Sequence, residues 1–162
     1  MNKKVIIGID PGKEGFITAM FPDGEFQFFS MADNTDGQCA DFIAGLASNP
    51  CVVAMEDVHA IFGSSAKTTF SFGQIKGFLL GLIVANKIPY HLIPPKIWQK
   101  LIWENCDKVM SAGKVDTKKT STNAALRIFP TIDFRRNERC WILDNNKVDA
   151  TLIAEYARRK NL

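Results

Sequence analysis

The chain has 162 residues and a mass of 18.1 kDa, enough to bury about two-thirds of its unfolded surface around one core and too little for a two-domain enzyme. With 46% hydrophobic and 23% charged residues, its make-up is that of an ordinary globular protein, which excludes the disordered and fibrous classes. The net charge of +3 hides an asymmetry: residues 1–81 carry 5 Lys and Arg against 9 Asp and Glu, and residues 82–162 carry 15 against 8.

Three runs rich in Val, Ile and Phe, over about 3–10, 15–21 and 24–30, are punctuated by Pro11-Gly12 and Pro22-Asp23-Gly24. They predict three strands joined by tight turns, an antiparallel meander. Thr35 to Ala47 places Phe42, Ile43 and Leu46 at helical spacing, and Cys51 to Glu56 reads as a buried strand ending in an acid. Residues 57–66 are polar and predict a loop. A long apolar helix follows from about Thr69 to Asn86, with Gly73, Gly77 and Gly81 at every fourth position. Such a stripe suits a close helix–helix or dimer contact, or equally a core helix that tolerates its glycines.

Tyr90 to Ile93 predicts a short strand, and Pro94-Pro95 opens a helix carrying Ile97, Trp98, Leu101, Ile102 and Trp103. Residues 106–116 are polar, Thr117 to Phe129 is helical, and 131–145 is irregular and charged. A last helix runs from about Lys147 to Lys160 with Val148, Leu152, Ile153 and Tyr156 inward. With no internal repeat or low-complexity linker, residues 1–162 read as a single domain of α/β layout with a mixed sheet, in the element order of ribonuclease H-like folds.

The N-terminal apolar run Val5-Ile6-Ile7 is too short for a signal peptide. The longest apolar stretch, Phe78 to Ala85, has eight residues, far below the ~18 that cross a bilayer. A cytoplasmic protein with no membrane partner is expected. Cys39, Cys51, Cys106 and Cys140 are scattered without C-x-x-C spacing, which predicts packed or free thiols rather than a zinc site or a disulfide framework.

Chemistry is concentrated in three acids. Asp10 ends an apolar strand just before Pro11-Gly12, Glu56 ends a second one, and Asp149 sits on the expected first turn of the last helix. Two of them have a plain structural role open: a turn start for Asp10, a helix-dipole charge for Asp149. Together, at the ends of three apolar elements, they point to carboxylates gathered at one sheet edge, where an oxygen-only set suits Mg²⁺ or Mn²⁺. Two such ions orient a water and stabilise the leaving oxygen of a phosphodiester. The basic second half, including Lys114, would hold the nucleic-acid backbone or else form solvated faces, and Lys118 and Lys119 at a helix start are the first candidates for phosphate contacts.

Gly8-Ile9-Asp10-Pro11-Gly12, Val52 to Glu56, Gly73-Gln74-Ile75-Lys76-Gly77 and Lys147-Val148-Asp149-Ala150-Thr151-Leu152-Ile153-Ala154 resemble, in order, the RuvC family of Holliday junction resolvases. Pro95-Lys96-Ile97-Trp98-Gln99-Lys100 and Glu155-Tyr156-Ala157-Arg158-Arg159 look especially like the resolvases of bacteriophages, including lactococcal phages, whose place of work is the host cytoplasm. The resemblance implies a ribonuclease H-like fold with a mixed five-stranded sheet flanked by helices. It further implies a homodimer, two Mg²⁺ or Mn²⁺ ions per active site, and nicking of four-way junctions and other branched DNA such as replication forks.

It carries Asp10, Glu56 and Asp149 over as metal ligands and Lys119 as a catalytically useful basic position, with Lys118 as its neighbour. The loop holding Phe62 and Lys67 becomes the segment that enters the junction, where Phe62 stacks on an opened base or is equally an ordinary core or interface Phe, and Lys76 a further DNA contact. One departure stands out: where the family places a fourth acid three or four residues before the last Asp, this chain has Asn146 and Asn145. Either an Asn serves as a weaker oxygen ligand, or Asp144 reaches the site, or this is a weakened or deliberately inactivated form that binds junctions and cuts them poorly.

Overall fold

The computed structural model describes residues 4–58 and 65–162. Strands β1 (Val5–Asp10), β2 (Phe16–Met20) and β3 (Phe26–Ser30) form the expected antiparallel meander. The chain then crosses through helix α1 (Asp36–Ala47) to β4 (Cys51–Glu56), parallel to β1, and through α2 (Ala66–Ala85) to β5 (Tyr90–Ile93), parallel to β4. The five-stranded sheet has the order β3-β2-β1-β4-β5. Helices α3 (Pro95–Ile102), α4 (Thr117–Ile128) and α5 (Asn145–Lys160) complete the layout.

Side chains alternate across a strand, so β1 feeds two cores. Val5, Ile7 and Ile9 pack with Ile43 and Leu46 of α1 and Leu79 and Ile83 of α2. Ile6 packs with Val52 and Ala54 of β4, Trp98 of α3, Ala124 of α4, and Val148 and Leu152 of α5. Gly8 has the parity of Ile6 and faces α5. A Cβ there would stand 2.1 Å from the Ala150 carbonyl oxygen and 2.5 Å from the Ala154 amide nitrogen. The backbone of α5 therefore rests directly on the backbone of β1, and Thr18 of β2 bonds Thr151 across the same buried layer at 3.2 Å.

Two helices start earlier than their apolar periodicity suggests. The Ser65 hydroxyl accepts from the Thr68 amide, so α2 begins at Ala66 rather than near Thr69. The Asp144 carboxylate accepts from the Asn146 and Lys147 amides, so α5 begins at Asn145 rather than Lys147. In both cases the side-chain cap, not the first apolar residue, sets the start. The polar stretch 106–116 also acquires structure: a short 3₁₀ turn (Asn105–Asp107) and a hairpin of β6 (Met110–Ser111) and β7 (Lys114–Val115). Ala112 and Gly113 both have positive φ, as a two-residue hairpin turn requires. Arg127 of α4 anchors this segment through the Asp107 carboxylate, at 2.8 and 2.7 Å.

Helix α2 is less buried than expected. By length and composition it could cross a membrane, which a search for an unbroken apolar run overlooks because Gly, Gln and Lys interrupt it. Leu79 and Ile83 instead anchor it in the sheet core, while Phe70, Phe72 and Val84 are exposed. Among the described residues nothing lies within 4 Å of a Cβ placed at Gly73, Gly77 or Gly81. The glycine stripe is thus an open face and not part of the core. The four cysteines are free thiols, with Cys39 buried and Cys106 exposed.

Replacing Gly8 by Ala forces α5 off β1. Urea unfolding of Gly8→Ala should show a loss of about 3 kcal/mol or more; a variant within about 0.5 kcal/mol of the parent would mean that the close approach is dispensable.

Candidate active site

Register places the first two acids. Ile9 pairs with Met55 across the parallel β1–β4 ladder, so Asp10 and Glu56, one step further on, leave the sheet side by side, on strands about 4.8 Å apart. Both share the parity of the residues facing α5: Ile6 and Gly8 before Asp10, Val52 and Ala54 before Glu56. The indole Nε1 of Trp98 confirms that direction by donating to Glu56 Oε1 at 2.9 Å.

Asp149 arrives from the opposite layer. Because α5 starts at Asn145, Asp149 lies beyond the first turn, and the dipole role open to it in the sequence falls to Asp144 instead. Asp149 is adjacent to Ala150, whose carbonyl abuts Gly8, so the contact that seats α5 on β1 also brings Asp149 to the rim where Asp10 ends its strand.

The electrostatics of the three acids reflect this gathering. Burial pushes the Asp10 carboxyl well above the usual carboxylate range, and the charges of Asp149, Glu56 and Asp144 add to it in that order. Burial raises Asp149 to about 7, opposed by a hydrogen bond from Ser121, raised further by Glu56 and lowered by Lys118. Glu56 is raised by burial and drawn back by the Trp98 bond. Among the described residues none of the three forms an ion pair, and Asp149 Oδ1 is buried without a hydrogen-bond partner. Leaving such an atom unpaired is costly.

Neighbouring acids are engaged differently. Asp144 caps α5 and pairs with Arg136 Nε at 2.7 Å, and Arg136 also reaches Glu14 Oε2 at 3.1 Å. The Asn146 amide donates to the Glu14 carbonyl oxygen at 2.8 Å. Asp10, Glu14, Asn146 and Phe72 line one cleft. Asn145 opens α5. Asp57 pairs with Lys76.

The three acids offer only hard oxygen donors, form no ion pair among the described residues and include there one buried oxygen without a hydrogen-bond partner, a donor set that fits a divalent cation of the Mg²⁺ or Mn²⁺ kind. As they stand, no group of three or more His, Cys, Asp or Glu among the described residues closes into an arrangement that would hold a metal ion. The acids share a rim and sense one another without converging on one point.

The lysines separate into distinct roles. Lys118 is close enough to Asp149 to lower its carboxyl, whereas Lys119 has a 70% exposed side chain and sits 3.7 Å from Asp116. Lys76 is occupied by Asp57. Lys67 and Lys114 are exposed, Lys67 in the first turn of α2 rather than in the expected loop because the Ser65 cap starts the helix at Ala66, and Phe62 lies outside the described residues. Sequence reasoning missed Trp98, Ser121, Gly8 and Arg136. Trp98 reads as one more apolar residue of an amphipathic helix, and only its position opposite a strand-end acid betrays a donor role. Ser121, three residues after Lys118, shares the face of α4 that meets α5.

No family model and no curated protein matches the chain. Solved structures do. The RuvC structure of Thermus thermophilus aligns with a TM-score of 0.57 and 14% identity, covering 97% of this chain and 96% of that one. T. thermophilus RuvC in complex with a Holliday junction substrate aligns with a TM-score of 0.53 at the same identity and coverage. The fold is therefore α/β and ribonuclease H-like, a mixed five-stranded sheet flanked by helices.

Asp10 and Asp149 are both raised above their unfolded values near 3.8, so the native state holds protons that the unfolded chain releases. Their contribution is full below about pH 4 and is lost as pH rises toward 7. The unfolding free energy from urea titrations in EDTA should fall over that window, by on the order of 4 kcal/mol for Asp149 alone, and Asp149→Asn should flatten the fall. A flat or rising profile in the parent would contradict the burial of these carboxyls.

Proposed function

We propose that the chain is a single metal-dependent endonuclease domain over residues 1–162 that nicks phosphodiester bonds in branched DNA, four-way junctions first and replication forks as well. The observation that carries the reading is the set of three carboxylates at one sheet rim, without ion pairs among the described residues and with Asp149 Oδ1 buried and unbonded. The likeness to RuvC, a protein solved with a Holliday junction substrate, supports branched DNA as the substrate. The residue motifs shared with phage resolvases support work in the cytoplasm of a host cell.

Asp10, Glu56 and Asp149 would hold Mg²⁺ or Mn²⁺, two ions per site. Bound there, the metal supplies Lewis acidity and an activated water for attack at phosphorus. The chain's own residues prepare the ground. Trp98 fixes the Glu56 carboxylate, and Ser121 steadies that of Asp149. Such outer partners orient the groups that bind metal. Lys118 stands where it can meet a scissile phosphate beside Asp149, with Lys119 exposed one residue on to follow the strand. Lys67 and Lys114, both exposed, would extend the backbone contact, and Lys76 would first have to leave Asp57. The open glycine stripe of α2, flanked by exposed Phe70 and Val84, would let a second copy approach closely and form a homodimer.

A second reading, junction binding with weak cutting, is favoured by one observation. Asp144 is already committed to capping α5 and pairing Arg136, and Asn146 is bonded to the Glu14 backbone. The position of a fourth acid is thus filled by groups with other duties.

A labelled four-way junction incubated with Mg²⁺ or Mn²⁺ separates the readings. Nicking is expected, and Asp10→Asn should remove more than the about 10- to 100-fold that follows loss of an outer partner while junction affinity persists. Binding with no nicking in either metal would favour the second reading, and absence of junction binding would sink both.

A further inference from the structure

The segment between α4 and α5 is a pinned loop, not the irregular stretch its composition suggests. Arg135 and Leu143 form an antiparallel bridge at its neck, and the Asp144 amide donates to the Phe134 carbonyl oxygen at 2.8 Å. The buried Lys147 ammonium bonds the Asp133 and Arg135 carbonyl oxygens, at 2.8 and 3.0 Å. At the tip, the Cys140 amide closes a turn onto the Asn137 carbonyl oxygen at 3.0 Å. Between turn and neck stand Trp141 and Ile142, 95% and 82% exposed. An indole so fully in water, held on a braced loop, has no role in the core.

Its position ties it to the candidate active site. Trp141 is three residues from Asp144, so the two Cα atoms are at most about 11 Å apart, roughly three nucleotide steps of 3.4 Å. Arg136 joins Asp144 to Glu14, and Glu14 and Asn146 line the same cleft as Asp10. The loop also carries a cation suited to phosphate, Arg139, two residues before the indole, whereas Arg135 and Arg136 at its base are paired with Asp133 and with Asp144 and Glu14. The tip is too small to be a subunit interface by itself. Two side chains supply a few hundred Å², against the about 800 Å² per partner that stable association needs. A single nucleobase, in contrast, is matched in size by one indole face.

Resting on the nuclease reading above, we infer that Trp141 is a base-stacking residue: it receives an unstacked nucleobase next to the branch point of the DNA, with Ile142 against its edge and Arg139 on the adjoining phosphate. The loop then acts as a specificity element that rewards branched over linear duplex DNA, because only a branch presents a base that is cheap to unstack.

The test uses a four-way junction with 5-iodouracil at the branch nucleotides, bound at saturating protein without divalent metal and irradiated, since this base crosslinks to an aromatic side chain stacked on it. The parent and Trp141→Phe should crosslink at position 141. Trp141→Ala should lose that crosslink and bind the junction about 5- to 100-fold more weakly, with linear duplex affinity changed by less than about 3-fold and an unchanged sedimentation coefficient. A bound parent that gives no crosslink at position 141, or full junction affinity with Trp141→Ala, overturns the inference while leaving the nuclease reading intact. A shift of Trp141→Ala to a smaller species overturns it in favour of contact between copies. A parent that does not bind the junction overturns both.

Discussion

The contact that everything else depends on is the meeting of two backbones at Gly8. Where any other residue would drive a Cβ into the Ala150 carbonyl and the Ala154 amide, glycine lets α5 settle onto β1 with no side chain between them. That seating buries α5 from Lys147 to Ala157 except at Asp149, and it holds the helix in one register along the strand. The result is chemical as well as mechanical. Asp149 comes from a helix more than 130 residues downstream of Asp10, yet the two carboxyls sense each other's charge.

Charge is handled in two contrasting ways in this fold. Elsewhere among the described residues the buried and half-buried acids are matched: Asp107 is gripped by Arg127, Glu155 by Arg158 and Arg159, and Asp144 by Arg136. At the rim, Asp10, Glu56 and Asp149 are brought together with no such partner among the described residues, and their carboxyls are pushed upward by burial and, for Asp10 and Asp149, by neighbouring carboxylates. A fold that pairs its other half-buried acids leaves these three together without an ion pair among the described residues, the kind of perturbed cluster that marks a functional site. The face of α4 that carries Lys118 borders the same rim.

Much of this was legible in the sequence because it follows from period and punctuation. Alternating apolar residues ending in Asp10 and in Glu56 announce two strands with acids at the same end, and parity alone then decides that both face α5. The start of α5 was not legible from apolar spacing, since Asn145 and Asn146 are indifferent helix formers and the cap at Asp144 acts through hydrogen bonds that periodicity does not register. For the same reason Asp149 looked like a first-turn residue. Trp98 and Ser121 escaped because the partner of each is distant in the chain. Lys118 and Lys119 are adjacent, and only the orientation of α4 distinguishes the one that faces Asp149 from the one that faces solvent. The openness of the α2 glycine stripe also required three dimensions, because a core helix and an unpartnered one share the same spacing.

The central claim is that three oxygen donors from β1, β4 and α5 together grip a divalent cation. Anomalous diffraction from crystals soaked in Mn²⁺ tests it directly. The account predicts a strong peak bonded to carboxylate oxygens of Asp10, Glu56 and Asp149, with Oδ1 of Asp149 among them. A peak bound only at Glu14 and Asp144, or no peak on that side of the sheet, would contradict it.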